Sequence, residues 1–347
     1  MHFAAQANGE TMKATITDVA KQAGVSMKTV SRVLNNEPNV SVKTREKVMA
    51  VAKDLRYSPN LAARGLASSK SYLIALVFGS SSLNYLTNLQ AGAIEACREN
   101  GYHLVVEAFD MSSTDINEDF ARRLERLPVD GIILTAPFSD SPEIFKILRR
   151  LNITFVPVAP SHEIEGVACV KMDNLQAAKE MTQYLIGLGH KDIGFIKGPP
   201  RHSSSGLRYK GFEEVLSAHG LSLNPNWIAP GDFTFNSGVE AAMKLLDQDK
   251  IPSAIFASND DMAAGVVSVA GKKGIAVPEQ LCVVGFDDTP LASILRPQLT
   301  TIKQPIYDMG HRAAELLIKP QDHEGGAQSY CMEHELIIRD STKLPKR

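Results

Sequence analysis

Residues 15–35 read TITDVAKQAGVSMKTVSRVLN. Thr15 stands three residues before Asp18, the spacing of a capping box that starts a helix. Ile16, Val19, Ala20 and Ala23 then recur at helical intervals. Gly24 ends that helix, and Val25 plugs the turn. A second helix begins at Ser26 and gathers Val30, Val33 and Leu34 on one face, leaving Met27, Lys28, Ser31, Arg32 and Asn35 on the other. This second helix is too polar for a core helix and too apolar for a solvated one. A third pattern begins at Ser41 and carries Val42, Val48, Val51, Ala52 and Leu55.

Two short helices joined by Ala23-Gly24-Val25-Ser26 have helix-turn-helix spacing, in which the second helix enters the DNA major groove. The outward residue types suit that partner. Lys28 and Arg32 can donate to guanine edges or phosphates, and Ser31 and Asn35 can bond bases or backbone. Ser26 and Thr29 can reach phosphates near the helix N-terminus, and Thr15 and Thr17 can do so at the first helix. The competing reading is an ordinary three-helix domain with a solvated basic face.

Charge points the same way. Residues 1–70 hold 11 Lys and Arg against 5 Asp and Glu, while the remainder holds 26 against 34. A basic block on an acidic body implies an anionic partner, nucleic acid or an anionic membrane surface. The outward face lacks the Trp, Phe or Leu of a membrane-surface helix. No run approaches the ~18 apolar residues of a membrane span. Met1–Lys13 has no secretory h-region, is expected to be a disordered tail, and leaves Met12 as a plausible second start. The four cysteines, Cys97, Cys169, Cys282 and Cys331, form no CxxC pair. This favours a reducing cytoplasm over disulfides or zinc.

Pro59 stops the third helix. Asn60 can cap one further short turn, Leu61 to Leu66, ahead of a Ser-rich linker, and Gly65 weakens that turn. From Tyr72 the texture changes. Apolar runs at 72–78, 102–108, 131–135, 154–158, 192–196, 253–258 and 282–286 read as buried strands. Amphipathic patterns lie between them, including 89–100, 177–190 and 260–274. Such alternation predicts parallel α/β sheets, and about 270 residues suits two lobes better than one sheet.

The motifs DVAKQAGVS, TVSRVLN and YSPNLAARGL resemble the N-terminal domain of the lactose-repressor (LacI) family. The similarity is specific from Ala14 to about Ser71 and looser beyond. The resemblance implies an N-terminal all-α helix-turn-helix domain (14–57), a hinge helix and linker (58–71), and an effector-binding and dimerisation core (72–347). That core is an α/β two-lobe periplasmic-binding-protein-like fold joined by three crossovers. Its first lobe covers about 72–174 and 304–328, its second about 175–303 and 329–341. The resemblance further implies a bacterial, cytoplasmic, nucleoid-associated transcription regulator, most plainly a repressor. Binding to double-stranded operator DNA as a homodimer is implied with it, and no membrane partner, cofactor, metal or enzymatic activity is expected. Carried over by position, Met27 and Lys28 select operator sequence, and Arg32 contacts base or phosphate. Asn60 and Ala63 belong to the DNA-contacting hinge, and Leu66 wedges into the minor groove.

Carboxyl ends of parallel strands are where such sheets bind ligands. After 192–196 come His202, Ser204 and Arg208, and Arg208 matches the family's ligand-clamping arginine. His202 and the serines read equally as a solvated loop. Asn259, after 253–258, is an ordinary N-cap that the family pattern also places at the cleft. Asp287, after 282–286, matches the ligand-binding acid, and Asp288 reads as structural. Phe233 stands where the family keeps a ring beside the ligand, with core packing as its alternative. Tyr85, at the end of the first strand's loop, can supply a second ring from the other lobe. The acid that lactose-type members carry near VPVAPS is missing, with Ala159 and Pro160 in that stretch. A sugar or glycoside is the expected effector, a purine or nucleoside the second choice. A plain solute-binding protein fits the core, but the missing signal and the basic block oppose it. No GxGxxG after a strand, Walker A, GxSxG or HExxH stands out, which argues against an enzyme. The RDSTKLPKR terminus has no heptad tail, so no tetramer is expected.

Overall fold

The computed structural model describes residues 14–34, 38–57, 70–79, 82–111, 113–319 and 328–342. The expectations for Met1–Lys13, Asn35, Asn60, Ala63 and Leu66 fall outside the described residues. The chain divides into two compact units, one ending at Ser71 and the other beginning at Tyr72.

The first unit holds α1 (Ile16–Ala23), α2 (Met27–Leu34) and α3 (Val42–Asp54). The capping box forms as its spacing requires. The Asp18 amide donates to the Thr15 hydroxyl, and the Thr15 amide donates back to the Asp18 carboxylate at 2.8 Å. That reciprocal bonding satisfies donors the helix start would otherwise leave open. Gly24 closes α1 in the left-handed region at φ 63°, a conformation that costs a side chain more than glycine. Val19, Ala20, Ala23, Val30, Val33, Val48 and Ala52 form one small core. Val42 does not join it and is 72% exposed. Ser41 caps α3, so Val42 occupies the first helical position, ahead of the stripe that faces the core.

In the second unit, β1 (Leu73–Phe78), β2 (His103–Ala108), β3 (Gly131–Leu134) and β4 (Phe155–Pro157) form a parallel sheet of order β2-β1-β3-β4. The helices α4 (Leu83–Glu99), α5 (Ile116–Leu124) and α6 (Pro142–Arg150) alternate with these strands. The second lobe repeats the plan. There β6 (Ile193–Ile196), β7 (Ile228–Ala229), β8 (Ala254–Ala257) and β9 (Cys282–Val284) take the order β7-β6-β8-β9. Its helices are α7 (Asn174–Gly187), α8 (Ser203–Ala218), α9 (Phe235–Leu245), α10 (Asp260–Lys272) and the short α11 (Pro290–Ile294). Central strands are apolar throughout because both sheet faces are covered.

Two small strand pairs lie where the chain passes between lobes. β5 (Cys169–Met172) pairs with β11 (Ser329–Met332), and β10 (Thr301–Lys303) pairs with β12 (Glu335–Ile337). Between β10 and β11, α12 (Ile306–Ile318) returns to pack on α4. The chain thus crosses three times. β11 is held by β5, and Val170 of β5 bridges Val158 beside β4 of the first lobe, while β12 is held by β10.

Helices approach closely where glycines remove a side chain. A methyl on Gly310 of α12 meets the Leu89 carbonyl of α4, and one on Gly92 of α4 meets the Tyr307 carbonyl. Gly211 lies likewise against α7, and Gly238 and Gly265 lie at the α9–α10 contact. Such backbone contacts cannot yield by turning a side chain. Gly310→Ala is therefore expected to cost about 1–3 kcal/mol in chemical or thermal unfolding. Gly187→Ala, whose methyl meets nothing, should leave stability unchanged or slightly raised.

Candidate functional site: an outward helix face and an interlobe cleft

In the first unit, α2 has the two faces its sequence implies. Val30 and Val33 are buried, and Leu34 is half-buried. Met27, Lys28 and Arg32 are exposed, with Thr29 and Ser31 half-buried between them. Several hydroxyls singled out for phosphate already serve the fold. Ser26 caps α2 by accepting the Thr29 amide at 3.1 Å, and the two hydroxyls lie 2.9 Å apart. Thr17 donates to the Met27 sulfur at 3.4 Å, which ties α1 to the start of α2. Ser26, Thr15 and Thr17 remain exposed all the same.

In the second unit, one cleft lies between the lobes and encloses about 510 Å³, its open mouth included. Tyr85, His202, Ser204, Arg208, Phe233, Asn259 and Asp287 all line it. Tyr85 sits in the first turn of α4, just past the end of the loop, because Ser82 already occupies the N-cap position. Ala159, in the stretch where the lactose-type acid is missing, is also in the wall, as are six residues the sequence did not mark: Ser82, Thr135, Ala136, Val158, Asn174 and Gln304. Asn174 and Gln304 follow strands of four and three residues, β5 and β10, whose patterns are too short to mark a strand end.

Arg208 is the centre of the polar wall. Its side chain is buried, and its guanidinium stacks 3.6 Å from the centroid of Phe286. Nε donates to Asn174 Oδ1 at 2.9 Å, and Nη1 donates to the Ser258 carbonyl at 2.5 Å. Asp287 Oδ1 lies 3.7 Å from Nη1 and accepts from Gln304 Nε2 at 2.5 Å. The Asp287 backbone has φ 116°, a region that side chains rarely occupy. Its amide donates to the Ile302 carbonyl, which anchors the turn. Asp288 turns away to an ion pair with Arg339 at 2.7 Å, so the adjacent carboxylates serve different ends.

Asn259 is both cap and wall. Its Oδ1 accepts the Met262 amide, and its Nδ2 donates to the Phe233 carbonyl, both at 3.0 Å. The second bond holds Phe233 at φ 69°. The Phe233 ring lies edge-on to His202, with centroids 5.5 Å apart, and occupies the space that glycine leaves at Gly198. Behind the wall, Asp260 is fully buried and accepts from Thr289 and Thr301.

Burial shapes the titration of this cluster. It raises the Asp287 carboxyl from 3.8 to about 7, opposed by Arg208 and the Gln304 hydrogen bond and reinforced by Asp261. Burial and the nearby Asp287 push Asp260 up as well. Arg208 is pulled down by burial against the pull of Asp287, and Tyr85 is raised by burial.

A helix-turn-helix unit followed by a two-lobed α/β body with a polar cleft is the build of a ligand-responsive DNA-binding regulator. Residues 15–60 match the family model described as bacterial regulatory proteins, lacI family, and residues 182–342 match a periplasmic binding protein-like domain. Catabolite control protein A of Priestia megaterium is 36% identical over 341 residues, covering 96% of this chain and 100% of that protein. The HTH-type transcriptional repressor PurR of Pasteurella multocida (strain Pm70) is 34% identical, covering 95% and 99%. Among solved structures, the lac repressor dimer bound to operator and the anti-inducer ONPF aligns with TM-score 0.79 at 29% identity, covering 95% of this chain and 99% of that one. The transcriptional regulator CelR in its cellobiose complex aligns with TM-score 0.71 at 30% identity, covering 94% and 99%. The chain belongs to the LacI family of bacterial transcription regulators. Among the described residues, no helix is long and apolar enough to cross a membrane.

The raised Asp287 carboxyl sets a pH dependence. Between pH ~4 and ~7 the folded chain retains a proton that the unfolded chain has released. Stability is therefore full at the acid side of this window and declines as pH rises through it. Thermal unfolding between pH 5 and pH 8 should show this decline. Asp287→Asn should reduce it by on the order of 1–3 kcal/mol; an unchanged slope would contradict the burial argument.

Proposed function

We propose that the protein is a repressor that holds a pseudo-palindromic operator as a homodimer, under the control of a neutral sugar or glycoside bound in the cleft. The observation that carries the effector class is the buried Arg208–Asp287 pair. The guanidinium already has a carboxyl group beside it, 3.7 Å away on Asp287, so an anionic effector does not find a free cation. A polyol instead finds donors and acceptors together: Arg208, Asp287, His202, Ser204 and Ser82. The Phe233 and Tyr85 rings suit the C–H face of a pyranose. In the cellobiose complex of CelR, a relative of similar fold holds a sugar.

For DNA, Met27 and Lys28 read base edges, and Arg32 takes a base or phosphate. Ser26, Thr29, Ser31 and Asn35 position α2, and Thr15 and Thr17 place α1 near the backbone. Asn60, Ala63 and Leu66 act in the hinge, where a leucine wedge opens the central base step. Two half-sites require two copies of the chain. The effector changes the separation of the lobes, and the first lobes of the dimer pass that change to the hinges.

The full-length protein prefers its own upstream region over random DNA, and equal binding to both ends this reading. Lys28→Ala and Arg32→Ala each weaken operator binding about 10-fold or more. Loss of a phosphate contact also lowers the slope of log affinity against log salt by about 1. Leu66→Ala weakens the operator complex while effector affinity holds, and Arg208→Ala weakens the effector by roughly 10–100-fold. A thermal-shift screen of sugars, sugar phosphates and purines names the effector, since a ligand of the native state raises its stability. Stabilisation by purines alone, or chiefly by sugar phosphates, would overturn the neutral-sugar assignment.

A further inference from the structure

Among the described residues the lobes meet across the cleft at several hydrogen bonds, Arg201 to the Met111 carbonyl and Ser203 to the Ala159 carbonyl among them, and one carboxylate takes two more. Asp261, in the first turn of α10 in the second lobe, accepts from Ser82 Oγ at 2.5 Å and from Asn84 Nδ2 at 3.0 Å. Both donors stand at the start of α4 in the first lobe. Asp261 is absent from the cleft wall, but Ser82 is part of it.

Among the described residues, no side chain caps the start of α4. Ser82 occupies its N-cap position, yet its hydroxyl makes no capping bond. The first turn of α4 also carries no acid. A helix N-terminus presents open amides and a positive dipole end that an anion stabilises. Asp261 brings that anion from the opposite lobe. The same carboxylate lies in the first turn of its own helix. Two positive helix ends thus converge across the cleft, and one negative charge lies between them.

We infer that Asp261 is the clasp of the interlobe cleft: it closes the lobes by completing the N-terminus of α4 from across the gap. Ser82 connects the clasp to the cleft. Its single proton goes to Asp261, which leaves its oxygen lone pairs to accept a hydroxyl from a molecule in the cleft. A chain from ligand hydroxyl to Ser82 to Asp261 strengthens each bond in it. Occupancy then tightens the clasp without any contact between ligand and Asp261. Closure by the clasp itself does not depend on which molecule binds, so it stands apart from the effector assignment above.

The test measures lobe separation in the full-length protein with neither DNA nor effector added. Nitroxide labels are placed on Glu118→Cys in α5 and Lys244→Cys in α9, with Cys331→Ser removing the exposed native thiol. Distances are read by pulsed electron double resonance. The parent should give a narrow, short interlobe distance. Asp261→Ala should lengthen and broaden it, with the closed-to-open ratio falling about tenfold, the effect of losing charge-assisted hydrogen bonds. Asp261→Asn, which keeps an acceptor but not the charge, should fall between them. The Ser82→Ala/Asn84→Ala double variant removes the donors and leaves α10 untouched, so it should open the cleft even if Asp261→Ala fails to fold. A distance distribution in this double variant, or in folded Asp261→Ala, that matches the parent overturns the proposal.

Discussion

A guanidinium taken out of water governs how the cleft is built. A buried cation is tolerated only where acceptors surround it. Around Arg208 those acceptors come from separate parts of the chain. Asn174 begins α7 just after the first crossing, Ser258 follows β8, and Asp287 lies beyond β9. Asp287 is in turn held by Gln304, at the second crossing. The polar wall and two of the three interlobe connections are therefore one bonded system. A molecule that draws on Arg208 or Asp287 acts directly on the segments about which the lobes move.

That arrangement also explains the unusual backbone. Asp287, Phe233 and Ala159 all have positive φ and all line the cleft. None is a glycine, so each is held by its surroundings rather than by its own preference. For Phe233 the restraint is the Asn259 amide; for Asp287 it is the strand-like bond to Ile302.

Much of this was legible in the sequence because short-range chemistry dictates it. The Thr15–Asp18 capping box, Gly24 and the Val30–Val33 face are local signals, and α1 and α2 follow them. The seven long apolar runs each became a strand or contained one. What escaped is what local pattern does not encode. β5, β10, β11 and β12 are three or four residues long, and their pairing is set by the crossings between lobes. Asn174 and Gln304 follow such strands and were missed with them. Ser82 and Asp261 look like routine helix-start residues, and only the meeting of the lobes sets them 2.5 Å apart. Val42 was misplaced for a simpler reason, since a capping residue shifts the phase of the stripe that follows it. The hinge motif lies outside the described residues.

Ala159 has φ 51° and its methyl faces the cleft. In that conformation asparagine and aspartate are among the best tolerated side chains after glycine. The backbone at this position is thus already shaped for the polar residues it does not carry. One codon change could introduce an acid or amide into the wall with little penalty to folding. Specificity in this chain is poised to drift at a position where the scaffold is indifferent, while the arginine network beside it stays constrained.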